Sequence, residues 1–136
     1  LYNLKKSDIS LSDRVFQVTE SKTQAGIREV PIAEKVAEIV KYRLISSDSD
    51  YLFCNRNGDR MGDRAFRDSW WTPMMQDLGM SHLPHDTRHT CVSLLAEAGV
   101  DERLIRQIVG HKGHGITQAV YTHFQREAKL EAINRI

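Results

Sequence analysis

A chain of 136 residues with 40% hydrophobic and 27% charged side chains is enough for one globular domain, too short for two, and too apolar for a disordered segment. Its 19 basic and 18 acidic residues give a net charge of +1, spread so that both halves are near neutral, and bulk charge therefore announces no nucleic-acid partner. Cys54 and Cys91 form no Cys-x-x-Cys pair, which argues against a disulfide framework or a cysteine zinc site, and no apolar run approaches the roughly 18–20 residues of a membrane span. A soluble cytoplasmic protein with no membrane partner is expected.

Positions 1–4, Leu-Tyr-Asn-Leu, read like the tail of a helix, so further residues upstream are expected. Residues 14–20 are rich in β-branched and aromatic types, and a second such run at 28–32 follows a polar turn containing Gly26. Together they predict a hairpin with Ser21-Lys22-Thr23 at its tip. Val36, Ile39, Val40 and Leu44 recur at helical spacing, as do Phe66, Trp70, Met74 and Leu78 in a helix capped by Asp63, interrupted at Pro73 and ended near Gly79. Both helices are expected to face the core. Pro84 opens another, with Cys91, Leu94, Leu95 and Ala98 as its buried stripe until Gly99.

Asp101 is placed to cap the next helix, with Val100 and Ile105 as a hydrophobic staple, Leu104 and Ile108 on the same apolar face, and Gly110 as its stop. Ile116, Val120 and Phe124 mark a further helix, and residues 127–136 a short amphipathic segment with Leu130, Ile133 and Ile136 on one side. The expected class is α+β, mostly α-helical, with a small antiparallel sheet near the front, in one domain spanning 1–136.

All six histidines fall between residues 82 and 123, and residues 103–126 contain Arg103, Arg106, Lys112 and Arg126 but no Asp or Glu. That local field is positive and suits a phosphate. His85 and Arg88 stand at i, i+3 on one helix face, with His89 one turn beyond His85, so the three can converge on a ligand. A guanidinium fork flanked by imidazoles fits a phosphodiester, since it holds two non-bridging oxygens and stays charged. Gly110-His111 closes a helix, and Tyr121, turned about 100° from the apolar Val120, leaves the core at its margin. Each feature alone also fits a plainer role: a solvated basic face, a surface pair, a boundary tyrosine.

Taken in order, the pieces resemble the tyrosine recombinases, or phage-type integrases. The resemblance runs from Leu1-Tyr2-Asn3-Leu4-Lys5-Lys6-Ser7-Asp8-Ile9 through Thr19-Glu20-Ser21-Lys22-Thr23 and Arg28-Glu29-Val30-Pro31-Ile32. It continues through Leu83-Pro84-His85-Asp86-Thr87-Arg88-His89-Thr90 and Leu104-Ile105-Arg106-Gln107-Ile108-Val109-Gly110-His111 to Val120-Tyr121-Thr122-His123. Essentially the whole chain is covered, and the wording is most similar to integrases of phages and conjugative transposons. The resemblance implies a tyrosine-recombinase catalytic domain in which Tyr121 is the nucleophile on DNA phosphorus. It also implies that Arg88 binds the scissile phosphate, that His85 and His111 donate hydrogen bonds to it, and that Lys22 is the general acid.

It implies further a double-stranded DNA recombination site, a homo-oligomer (a tetramer) on DNA, accessory DNA-bending or excision proteins, and no metal or cofactor. The family's first catalytic arginine and its DNA-clamping domain would lie before Leu1; Arg28 matches the family's strand arginine instead. Because one preorganised phosphate donor is worth ~3–4 kcal/mol of transition-state stabilisation, the 136 residues alone are expected to fold without recombining DNA. The segment from Arg126 is expected either to dock on a neighbouring protomer or to fold back on its own domain. Two other classes remain in view. Asp101 to Phe124 could be a helix-turn-helix that only binds DNA, and His85-x-x-x-His89 or His111-x-x-His114 could hold a metal, although Arg88 on the same face would repel it.

Overall fold

The computed structural model describes residues 2–20, 26–111 and 125–136. A 3-10 turn, Lys6–Asp8, leads into strand β1 (Ile9–Ser10), which pairs antiparallel with β2 (Val15–Val18); β2 in turn pairs antiparallel with β3 (Arg28–Pro31), placing Val15 opposite Pro31 and Val18 opposite Arg28. The expected hairpin is therefore present with shorter strands. Arg14 belongs to the turn before β2 rather than to the strand, with a left-handed φ of 51°. β1, two residues long, is too short to carry an alternation. Pro31 closes β3 at the sheet edge, where a missing N–H breaks no ladder.

Helix α1 (Glu34–Ile45) forms where its apolar periodicity predicts, but not as a core-facing helix. Val36 is 38% and Ile39 62% exposed, and among its apolar side chains only Ala37, Val40 and Leu44 are half-buried. The reason is a shortage of partners: among the described residues no other element packs broadly on α1, which leans on the following loop through Arg43, 5.9 Å from the Phe53 ring. Its first N–H, on Glu34, is satisfied across the chain by Asn134 Oδ1 at 2.8 Å.

The next helical stretch corrects a second expectation. It consists of α2 (Asp63–Phe66), a π-helical turn (Arg67–Trp71) and α3 (Thr72–Asp77). Gly62, not Asp63, occupies the cap position; Asp63 is the first helical residue and pairs with Arg67 at 3.3 Å. Pro73 has no N–H to give and its ring crowds the preceding turn, and the helix accommodates it with one extra residue. The inward face thus runs Phe66, Trp71, Met75 instead of Phe66, Trp70, Met74. Met75 is buried, whereas Trp70, Met74 and Leu78 are exposed. Trp71 stacks obliquely on Phe66, 6.3 Å between centroids, and Tyr2 also packs on Phe66, at 5.6 Å.

Helix α4 (Asp86–Glu97) starts two residues after Pro84, which shapes the entry turn rather than the first helical position. Asp86 accepts the Leu83 N–H at 2.8 Å, and Thr87 Oγ1 donates to the Pro84 carbonyl at 2.7 Å. Leu95 is fully buried, Cys91 and Ala98 are partly so, and Leu94 is 42% exposed. Helix α5 (Glu102–Val109) follows the sequence reading closely. Asp101 caps it by accepting the Arg103 N–H at 2.8 Å, and the staple residues Val100 and Ile105 are both buried.

The helix expected around Ile116, Val120 and Phe124 lies outside the described residues. Helix α6 (Arg126–Ile133) returns to its own sheet: Ala132 joins Leu95, Val100, Leu104, Ile105, Ile108 and Val109 in the main core, and Leu130 and Ile133 are half-buried. Within the single chain α6 packs against β3 and the core. That core lies between α4, α5 and α6, with β3 packed against α5 and α6. Among the described residues no helix is long and apolar enough to cross a membrane.

Candidate active site

Two helix ends build the cationic group. The first turn of α4 and the residue before it supply His85, Arg88 and His89, whose i, i+3 and i+4 spacing puts them on one face. The two imidazoles meet edge to face, with centroids 5.1 Å apart. The other contributor is the stop of α5. Gly110 takes a left-handed φ of 72°, and its N–H and that of His111 both bond to the Arg106 carbonyl, at 2.8 and 3.1 Å. This reversal brings His111 to α4. The Arg88 Nε–H donates to His111 Nε2 at 3.2 Å, linking residues 23 positions apart.

The protonation state follows from that geometry. An Nε2 that accepts from a guanidinium carries no proton, so the imidazole proton sits on Nδ1, which is left as a donor. Loss of solvation, then the neighbouring Arg88, His89, Arg106 and His85, push the His111 pKa below its ordinary 6.5, and the ring is neutral at neutral pH. Arg88 uses only Nε in this contact, which leaves its terminal nitrogens without a partner among the described residues. A half-buried guanidinium whose terminal nitrogens have no partner among the described residues, beside an exposed imidazole that keeps its proton on Nδ1, is arranged to receive an oxyanion.

A further cation stands behind this face. Arg28 of β3 donates Nε–H to the Ile108 carbonyl and Nη1–H to the Gly26 carbonyl, both at 2.9 Å, and its pKa is lowered by burial and by Arg88. His111 and Arg106, with Glu102 and the apolar Val92, Ala96, Val100 and Ile105, line an open groove of about 580 Å³ between α4 and α5. His85, His89 and His111 are exposed and Arg88 is half-buried, so the group faces accessible space, as a polymer backbone would require.

The structure thus brings together three of the residues singled out from sequence: Arg88, His85 and His111. The other two, Tyr121 and Lys22, lie outside the described residues, as do His114 and His123. Sequence reasoning left His89 without a role, although its i, i+4 relation to His85 was visible. It gave no warning that Arg28 stands beside Arg88, because nothing local links positions that far apart. For the metal reading, no group of three or more His, Cys, Asp or Glu side chains converges among the described residues.

Comparison with known proteins adds a second line of argument. The model of the phage integrase family matches residues 1–128. The chain is 34% identical over 126 residues to tyrosine recombinase XerA of Thermococcus kodakarensis, covering 90% of this chain and 44% of that protein. It is 31% identical over 139 residues to a tyrosine recombinase of Pseudothermotoga lettingae, covering 100% of this chain and 48% of the relative. Among solved structures, the crystal structure of XerA recombinase superposes with a TM-score of 0.67 at 32% identity, over 96% of this chain and 49% of that one. The chain spans about half the length of the curated relatives it matches. Its mostly helical architecture with a small antiparallel sheet is that of the XerA structure.

Proposed function

The chain belongs to the phage integrase family of tyrosine recombinases, and on that premise we propose that residues 1–136 form the catalytic domain of a site-specific DNA recombinase. The observation that carries this reading is the 3.2 Å contact between Arg88 and His111, which holds an arginine fork and an imidazole donor side by side with His85 and His89. In the proposed reaction the phenolic oxygen of Tyr121, its proton released to solvent, attacks a DNA phosphorus as a phenolate, while the bond to the 5′ oxygen breaks. Negative charge grows on the equatorial oxygens. Arg88 neutralises it, and His85 and His111 donate hydrogen bonds to it.

Lys22 gives its proton to the departing 5′ oxygen, which completes a 3′-phosphotyrosyl bond and a free 5′ hydroxyl. Attack by another 5′ hydroxyl reverses the step and joins strands in a new combination. The energy of the broken phosphodiester is kept in the phosphotyrosine, so the exchange calls for no nucleotide, metal or cofactor. The partner is a double-stranded recombination site, bound in the cytoplasm by four copies assembled through the C-terminal segment, with accessory DNA-bending or excision proteins.

The test is a nicked or suicide DNA substrate incubated with the protein in its complete reading frame and resolved on a denaturing gel. A covalent protein–DNA adduct that disappears in Tyr121→Phe is the expected result. Tight binding without any adduct would instead favour the DNA-binding regulator.

A further inference from the structure

Arg28 and Glu29 are consecutive on β3, so their side chains leave opposite sides of the strand. Each reaches a different flank of the chemistry. Arg28 bonds the Ile108 carbonyl, three residues before His111, and the Gly26 carbonyl, four residues after Lys22, both at 2.9 Å. Glu29, with its side chain only 17% exposed, receives Arg126 Nη2 at 2.7 Å and Nε at 3.2 Å, and Gln17 Nε2 at 3.1 Å. Arg126 reaches on to Asp13 at 3.2 Å. One dipeptide therefore grips the described residues on both sides of positions 112–124, and also the one that follows positions 21–25.

Arg28 is also expensive for a simple brace. It is half-buried, its partners are two neutral carbonyls, no carboxylate faces it among the described residues, and Arg88 adds a like charge beside it. A half-buried cation without a counter-ion costs stability, and a bound anion removes the cost. A neutral donor would tie the same carbonyls more cheaply. The charge is explained if a phosphodiester enters the adjoining site.

Resting on the recombinase reading, we propose that Arg28 and Glu29 are positioning residues for the strand-cleavage step: Arg28 ties Gly26, in the chain that follows Lys22, to the stop of α5 before His111, and Glu29 holds Arg126, in the chain that follows Tyr121, on β3. Neither touches the reacting atoms. Arg28 acts on the acid that protonates the leaving oxygen, and Glu29 acts on the attacking side.

This division can be read with two substrates. In one the bridging 5′ atom is oxygen; in the other it is sulfur, which departs as a thiolate and needs no proton, so a defect in the acid is relieved. Arg28→Lys keeps the charge but cannot span both carbonyls. In single-turnover cleavage at saturating DNA it should be slower on the oxygen substrate by at least about tenfold, the scale expected for misplacement of a catalytic group by a fraction of an ångström. The sulfur substrate should recover most of that loss. Glu29→Gln should be slowed on both substrates alike. DNA affinity and melting temperature should stay near wild type in both variants.

Wild-type rates in Arg28→Lys, a loss confined to DNA affinity, a melt showing that it fails to fold, or equal slowing on oxygen and sulfur would each overturn the assignment. If the unaltered protein itself forms no adduct with either substrate, the recombinase reading fails and this inference falls with it. Lys22→Ala, slowed on oxygen and relieved by sulfur, is the reference for a direct loss of the acid.

Discussion

Ile108 and Ile39 are the same side chain on two helices, yet Ile108 is 3% exposed and Ile39 is 62% exposed. The difference runs through the whole molecule. Residues of α4, α5 and α6 share one apolar cluster, and the cationic group stands on its rim, at the first turn of α4 and the stop of α5. From α1 to α3 the apolar side chains are scattered, with Tyr42, Ile45, Trp70, Leu78 and Met80 all more than half exposed. A phosphate site needs fixed donors, because donors that must reorganise lose most of their advantage. The rigid half supplies them.

The contrast is broken most directly by removing volume from each half. Leu95→Ala empties the side chain that is fully buried among the described residues and should destabilise by ~2–5 kcal/mol, whereas Ile39→Ala should stay within roughly 0.5 kcal/mol of the parent. Urea midpoints at constant m-value measure both. A Leu95→Ala cost as small as that of Ile39→Ala would mean that the packed half is no more ordered than the other.

The second test sharpens the contrast inside the looser half. If the π turn shifts the buried face by one residue, Met75→Ala should cost on the order of 2 kcal/mol and Met74→Ala well under about 1 kcal/mol. A straight helix through Pro73 would reverse that order.

These pairs also mark where the sequence could be read and where it could not. Local signals carried far in the rigid half: Asp101 as cap, Val100 with Ile105 as staple, Gly110 as stop, and His85 with Arg88 one turn apart all appear as expected. Each depends on neighbours within a few positions. Pro73 was visible as an interruption, but the extra residue that relieves it was not, so the face was counted straight through to Met74. For α1 the periodicity was right and burial failed, since periodicity states which side is apolar and not whether anything covers it. The bond from Arg28 to Ile108 spans 80 positions and depends on how β3 meets α5, which no local pattern encodes.

The smallest expected effect concerns the proton on His111, and it tests whether the rim of the packed half is a waiting anion site. In the folded chain its pKa lies below 6.5, through loss of solvation and the cations Arg88, His89, Arg106 and His85. In the unfolded chain it titrates near 6.5. As pH falls below that value the unfolded chain takes up a proton that the folded chain refuses, so stability declines until the lower, folded pKa is passed and is then level. Protonation also turns Nε2 from an acceptor into a donor and breaks the bond from Arg88. His111→Gln should remove this part of the acid sensitivity from the melting temperature. A phosphodiester at the site acts in the opposite direction, because its negative charge stabilises the imidazolium and draws Arg88 toward itself. An NMR titration of the His111 ring should therefore show a pKa below 6.5 in the free protein that rises when a short duplex carrying the recombination site is added. A free-protein value at or above 6.5, or one that the duplex leaves unmoved, would remove His111 from the phosphate's surroundings.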